Sequence, residues 1–221
     1  MKTNSNTSYA VMTGLVISIL GLPVIGMLTK YFPEQTRTIW GLALTWIVTI
    51  VLLILIKFGE KRSYSSIGFF PITIKEGLIA MGIGAVLSLS VPLLTLLASQ
   101  FLPSTTEGSI MDAAVQTSWY VLLFGVLTSG VTEEIIFRGY LIERLGKLTG
   151  KLPVAVGISV LAFTLPHVVN WNITHVIGVV LPLGLILSWL YLWKRNILFN
   201  IIVHIVINLP LVFIALTTHQ T

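Results

Sequence analysis

The sequence predicts an all-α, polytopic transmembrane helix bundle of about seven to eight membrane helices, and two observations carry that reading. The chain of 221 residues is 55% hydrophobic and only 10% charged, whereas soluble domains average about 25% charged residues. Its apolar residues also run unbroken for the roughly 20 positions that a helix needs to cross a hydrocarbon core about 30 Å thick. A lipid-exposed backbone must satisfy its own hydrogen bonds, so each run is read as a helix. The short alternating segments of a β-barrel are not present.

Taken in order, the first run, Tyr9 to Thr29, is too long for a cleavable signal and lacks a small-residue cleavage site, so it reads as a retained span. Ile39 to Phe58 is the second span. The loop from Gly59 to Glu76 mixes charge with Tyr64, Phe69 and Phe70 and is expected to lie in the membrane interface. Gly77 to Phe101 is the third span, and the loop from Leu102 to Thr117, with Pro103, Gly108 and several hydroxyl residues, is expected outside the membrane. The fourth span, Ser118 to Phe137, carries two carboxylates. The fifth, Leu152 to His167, is the shortest and reaches Pro166. Ile173 to Trp193 and Ile197 to Leu216 complete the set.

Trp40, Trp119, Trp171 and Trp193 fall near span ends, as an interfacial aromatic belt requires. Gly82, Gly84, Gly125 and Gly130 are read as close-packing contacts between helices. The organisation is one membrane domain, with N-terminal helices and loop over 1–117 and a core over 118–216.

With the N-terminus in the cytoplasm, 11 of the 13 Lys and Arg residues fall on the inner side, leaving only Lys30 and Arg37 outside. The positive-inside rule therefore favours a cytoplasmic N-terminus and an external C-terminus, and a bacterial plasma membrane is the expected setting. The net charge of +5 does not point to nucleic acid, because the basic residues lie in short loops and form no basic domain. The absence of cysteine removes disulfides, thiolate metal sites and thiol nucleophiles together.

The chemistry-bearing residues lie in the second half. Gly130-Val131-Thr132-Glu133-Glu134-Ile135-Ile136-Phe137-Arg138 places adjacent carboxylates near a span end. An ionisable group inside a span costs at least about 2.5 kcal/mol on insertion scales, and marks a functional site by default. Glu134 and Arg138 share a helix face and can pair, whereas Glu133 points about 100° away and needs a partner from another helix. His167 is the natural candidate. Glu133 lies 17 residues before Gly150 and His167 lies 17 after it, so a tight turn there puts both at one depth, roughly 25 Å from the turn. His204 and Asn208, four apart, share a face of the last span and reach the same layer. His175 reads as a bystander near the outer surface, and His219 as tail.

A carboxylate beside an imidazole can take a proton from water, and a His–Asn pair can donate hydrogen bonds to a developing oxyanion. The same Glu133, His167 and His204 would also suit a divalent metal such as zinc; the sequence leaves both open. Other intramembrane protease chemistries fit poorly. The only Asp is Asp112, in a loop; no His-Glu-x-x-His occurs; and Ser129-Gly130 lacks the preceding glycine of a Gly-x-Ser-Gly motif.

Glu133-Glu134-x-x-x-Arg138, then Phe163-x-x-x-His167, then His204-x-x-x-Asn208, in that order, resemble the CPBP family. Its members are the CAAX prenyl endopeptidases of the Ras-converting type and the bacteriocin-processing or immunity (Abi) proteins. The resemblance covers roughly Trp119 to Asn208 and includes Gly184, Leu190-Tyr191 and the Lys194-Arg195 turn; the first three spans match by topology alone. It implies an intramembrane endopeptidase in which Glu133 activates water with His167, His204 and Asn208 stabilise the oxyanion, and Glu134 and Arg138 support the site. It implies a membrane-associated peptide or protein as substrate, with the lipid bilayer as the other partner. The alternatives are a non-catalytic immunity or scaffold protein of the same family, in which the motifs are architecture, and a small transporter using Glu133 as a proton relay.

Overall fold

The structure, a computed structural model, describes residues 5–102 and 116–218. Among them it is all helical, with seven membrane-directed helices: α1 (Ser5–Leu28), α2 (Glu34–Gly59), α3 (Ile74–Ser99), α4 (Trp119–Thr149), α5 (Leu152–Asn170), α6 (Ile173–Lys194) and α7 (Ile197–Thr218). Six are long and apolar enough to span a bilayer, and α5 contributes a shorter apolar segment, Leu152–Val168. The protein is a multi-pass integral membrane protein. Most of the expected external loop between α3 and α4 lies outside the described residues, as do Lys2 and His219.

Helix ends follow local chemistry. Thr73 and Glu76 close a capping box at the start of α3, the Thr73 hydroxyl accepting from the Glu76 amide at 3.2 Å and the Glu76 carboxylate from the Thr73 amide at 2.9 Å. The Asn172 side chain caps α6 by accepting from the His175 amide at 2.8 Å. Gly150 ends α4 in the left-handed region, φ 66°, a conformation open to glycine at no steric cost, and α5 starts two residues later. The α4–α5 hairpin therefore turns where the sequence places it.

Helix α4 corrects the expectation that the fourth span ends at Phe137. It continues unbroken to Thr149, and the nine residues Glu134–Ile142 adopt π geometry with every side chain buried. Hydropathy alone ends the span at Arg138, but that charge is neutralised inside the protein and the helix passes through it. Arg138 consequently leaves the set of loop cations. The remaining described cations of the inner set belong to one end of the bundle, where Glu143 binds Arg195 at 2.6 Å and Glu60 binds Arg144 at 2.8 Å.

The π segment is the axis of the molecule. It packs against α1, α5 and α7 and against the short turn Tyr64–Ile67. Around it lies a core of Leu15, Leu52, Ile56, Ile135, Phe137 and Phe163. By contrast α1, α2 and α3 turn Leu20, Ile47 and Leu89 outward, as lipid-facing helices do. A methyl group on Gly130 would meet Ile205 at 2.5 Å, and one on Gly84 would meet the Val203 carbonyl at 2.9 Å, so these two glycines let α4 and α3 approach α7 closely. Gly82 and Gly125 have nothing within 4 Å of an added Cβ. The reading of those two as packing contacts is thereby corrected: they face away from neighbouring helices.

Candidate active site

The centre of the site is Glu134, fully buried in the first turn of the π segment. One carboxylate oxygen accepts from Arg138 Nη1 at 2.9 Å and from His204 Nδ1 at 2.8 Å; the other accepts from the Asn200 amide at 3.1 Å. Arg138 is also fully buried. Its Nη2 donates to the Gly184 carbonyl of α6 at 3.2 Å, and its guanidinium lies 4.3 Å from the centre of the Phe163 ring on α5. The cation thus gains an ionic partner, a carbonyl and an aromatic face in place of water. Asn200 donates a second bond, 2.7 Å, to the Leu187 carbonyl. Four helices meet on this one ion pair.

That arrangement fixes His204. A carboxylate can only accept, so the ring nitrogen facing Glu134 carries the hydrogen and Nε2 is the working nitrogen. Nε2 lies 3.9 Å from Glu133 Oε2. This is too long for a direct hydrogen bond, but an oxygen atom between them can sit within about 2.8 Å of both. Glu133 keeps 14% of its side chain exposed while Glu134 keeps none.

His167 stands on α5 one turn from Phe163, with Nδ1 2.8 Å from the Phe163 carbonyl. The same logic puts the hydrogen on Nδ1 and leaves Nε2 bare in the neutral ring. Its ring and that of His204 both pack on Phe163, at 5.0 and 6.3 Å between centroids. Glu133 makes no hydrogen bond to His167; among the described residues its close imidazole is His204. Asn208, one turn beyond His204, is half-buried and makes no hydrogen bond among the described residues. One turn nearer the hairpin, Phe137 and Phe163, each 13 residues from Gly150, lie at matched depth and meet edge to face at 5.7 Å.

Residues 115–210 match the family model described as Rce1-like, type II CAAX prenyl endopeptidase. The segment resembles an Rce1-like domain. No curated protein and no solved structure matches the chain. The family is one of CAAX-type intramembrane proteases, and the Rce1-like match spans α4 to most of α7, enclosing all six residues that sequence reasoning singled out.

Within the matched segment the sequence reading missed Asn200 and the carbonyls of Gly184 and Leu187. Asn200 carried a signal: it precedes His204 by four, as His204 precedes Asn208, so three polar groups line one face of an apolar helix. Backbone carbonyls carry none. Among the described residues no three His, Cys, Asp or Glu side chains converge to hold an ion. Glu133, His167 and His204 are not brought together as a three-ligand set in this arrangement.

Proposed function

We propose that the protein is an intramembrane endopeptidase that hydrolyses a peptide bond of a membrane-associated peptide or protein, with Glu133 as general base. The single observation that carries the proposal is the 3.9 Å approach of His204 Nε2 to Glu133 Oε2 beside a buried Glu134–Arg138 pair. A water between the two groups gives its proton to Glu133 and attacks the peptide carbonyl carbon. The oxyanion that forms accepts hydrogen bonds from the protonated His204 Nε2 and from the Asn208 amide. Glu134 orients the His204 ring and stabilises its imidazolium, as a carboxylate does for the imidazole of a catalytic triad. Collapse of the intermediate breaks the C–N bond, and Glu133 returns its proton to the leaving nitrogen. His167, with Nε2 free, supplies the second imidazole at the water.

His204 lies on the eighth residue of α7, roughly 10 Å from its start by helix rise. The start of α7 is the end at which the cationic loops gather. With that end placed in the cytoplasm by the positive-inside rule, the site belongs to the cytoplasmic half of the membrane and the N-terminus is cytoplasmic. The test compares processed and unprocessed peptides in cells carrying wild type, Glu133→Ala or His167→Ala. Wild-type processing rates in either variant would sink the proposal. A non-catalytic immunity or scaffold role predicts instead that Glu133→Gln leaves protection or assembly untouched.

A further inference from the structure

A second buried ionic network lies on the same helix as the carboxylates, and the proposed chemistry does not use it. Glu60 follows the last turn of α2, and its side chain is fully buried. Oε1 accepts from the Tyr140 hydroxyl at 2.6 Å and Oε2 accepts from Arg144 Nε at 2.8 Å. Arg144 spends its other two nitrogens on Ser66, reaching the carbonyl at 3.1 Å and the hydroxyl at 2.8 Å. The Tyr140 hydroxyl is also 3.3 Å from the Val11 carbonyl on α1, and reaches it only because residue 14 is glycine: a Cβ there would collide with the phenol. Arg62 adds a longer contact, 3.8 Å, from the exposed side.

Two features show that this end of α4 is held from both sides. Lys61 and Arg195 are the only non-glycine residues with positive φ among those described, at 55° and 51°. Left-handed backbone is strained for such residues and persists where surrounding contacts over-determine it. Lys61 directly follows Glu60. Arg195 binds Glu143, which also accepts from the Tyr191 hydroxyl at 3.1 Å. The two strained turns therefore deliver partners to Tyr140, Glu143 and Arg144, all in or just past the π segment that begins at Glu134. A π segment has poorer intrinsic stability than an α-helix and is sustained by such side-chain contacts.

We propose that Glu60 is a positioning residue: by holding Tyr140 and Arg144 it sets the axial placement of the π segment, and so the placement of Glu133 and Glu134 against α5 and α7. Glu60 lies outside the segment matched by the Rce1-like family model, so the N-terminal helices act on the site through it. The inference rests on the proposed peptidase reading only for its kinetic arm.

The chain has no cysteine, so a spin-label pair can be introduced cleanly at Leu127→Cys on α4 and Phe213→Cys on α7, both exposed to lipid. The distance between labels is measured with and without Glu60→Gln, with Tyr140→Phe as the milder variant if Glu60→Gln does not fold. Lys57→Gln, an exposed charge change at the same end, serves as control. The expected result is a shifted or broadened distance for Glu60→Gln or Tyr140→Phe, with kcat down about tenfold or more and KM within about twofold, because misplacement of about 1 Å costs rate more than binding. Lys57→Gln changes neither. An unchanged distance distribution, or an unchanged kcat in a wild type that cleaves, overturns the inference. If the wild type cleaves nothing, the peptidase reading fails by itself and the distance alone decides the role of Glu60.

Discussion

His204 Nδ1 lies 2.8 Å from Glu134 Oε1 while Nε2 of the same ring lies 3.9 Å from Glu133 Oε2. One imidazole therefore links the two adjacent carboxylates, and the link divides their work. Glu134 is spent on Arg138, Asn200 and His204, whereas Glu133 makes no side-chain hydrogen bond of its own among the described residues and is the carboxylate available to a reacting water.

Glu134 is predicted to be costly to remove. Glu134→Ala leaves Arg138 buried without a counter-charge, a loss of about 3–5 kcal/mol for pairs of this kind. Replacing both residues with leucine is predicted to restore much of the lost stability but no activity, since His204 is then unanchored. Thermal unfolding in detergent of Glu134→Ala, Arg138→Ala and the double leucine variant checks this. A double variant less stable than both singles would contradict it.

Asn200 is predicted to matter for activity although it touches no water-activating group. Asn200→Ala removes hydrogen bonds to Glu134 and to the Leu187 carbonyl and leaves a buried acceptor unpaired, at about 1–3 kcal/mol. Asn200→Asp is predicted to be worse, because a second carboxylate would face Glu134. Stability and peptide cleavage measured on both variants give the order.

The glycines separate into two classes. Gly130→Ala drives a methyl group into Ile205, and overpacking of this kind costs about 1–3 kcal/mol; it also pushes α7, with His204, away from Glu133, so activity falls. Gly125→Ala meets nothing within 4 Å and is predicted to be neutral or stabilising, by up to about 1 kcal/mol from helix propensity. Parallel melting curves and cleavage assays distinguish the two.

The donor geometry predicts that stripping divalent ions leaves activity in place. Cleavage by purified protein in chelator is expected to match the untreated rate, with less than one equivalent of zinc bound. Loss of activity on chelation, restored by one equivalent of metal, would contradict the metal-independent mechanism.

Much of this molecule was legible in its sequence because membrane helices announce themselves by length and because ionisable residues are rare within them. The seven helices, the turn at Gly150 and the Glu134–Arg138 pair follow from hydropathy, glycine chemistry and helical spacing. The end of α4 did not, since a hydropathy window stops at a charge and cannot know that Glu134 and Glu60 neutralise Arg138 and Arg144 inside the fold. The partner of Glu133 was read as His167 from matched depth. Depth fixes a layer but not a direction around it, and in that layer His204 is the nearer imidazole. Glu60 gave no signal at all: a Glu before Lys61-Arg62 reads as part of an interfacial loop until Tyr140 and Arg144 are seen to close on it.

The central claim, that Glu133 is the base, is tested most directly by the kcat for cleavage of a membrane-anchored peptide by purified Glu133→Gln protein. This variant keeps the size and shape of the side chain and removes its basicity. The account predicts a fall of at least about 10²-fold, the lower range for loss of a general base, with an unfolding temperature close to that of the wild type because Glu133 makes no side-chain hydrogen bond among the described residues. Cleavage at the wild-type rate would contradict it.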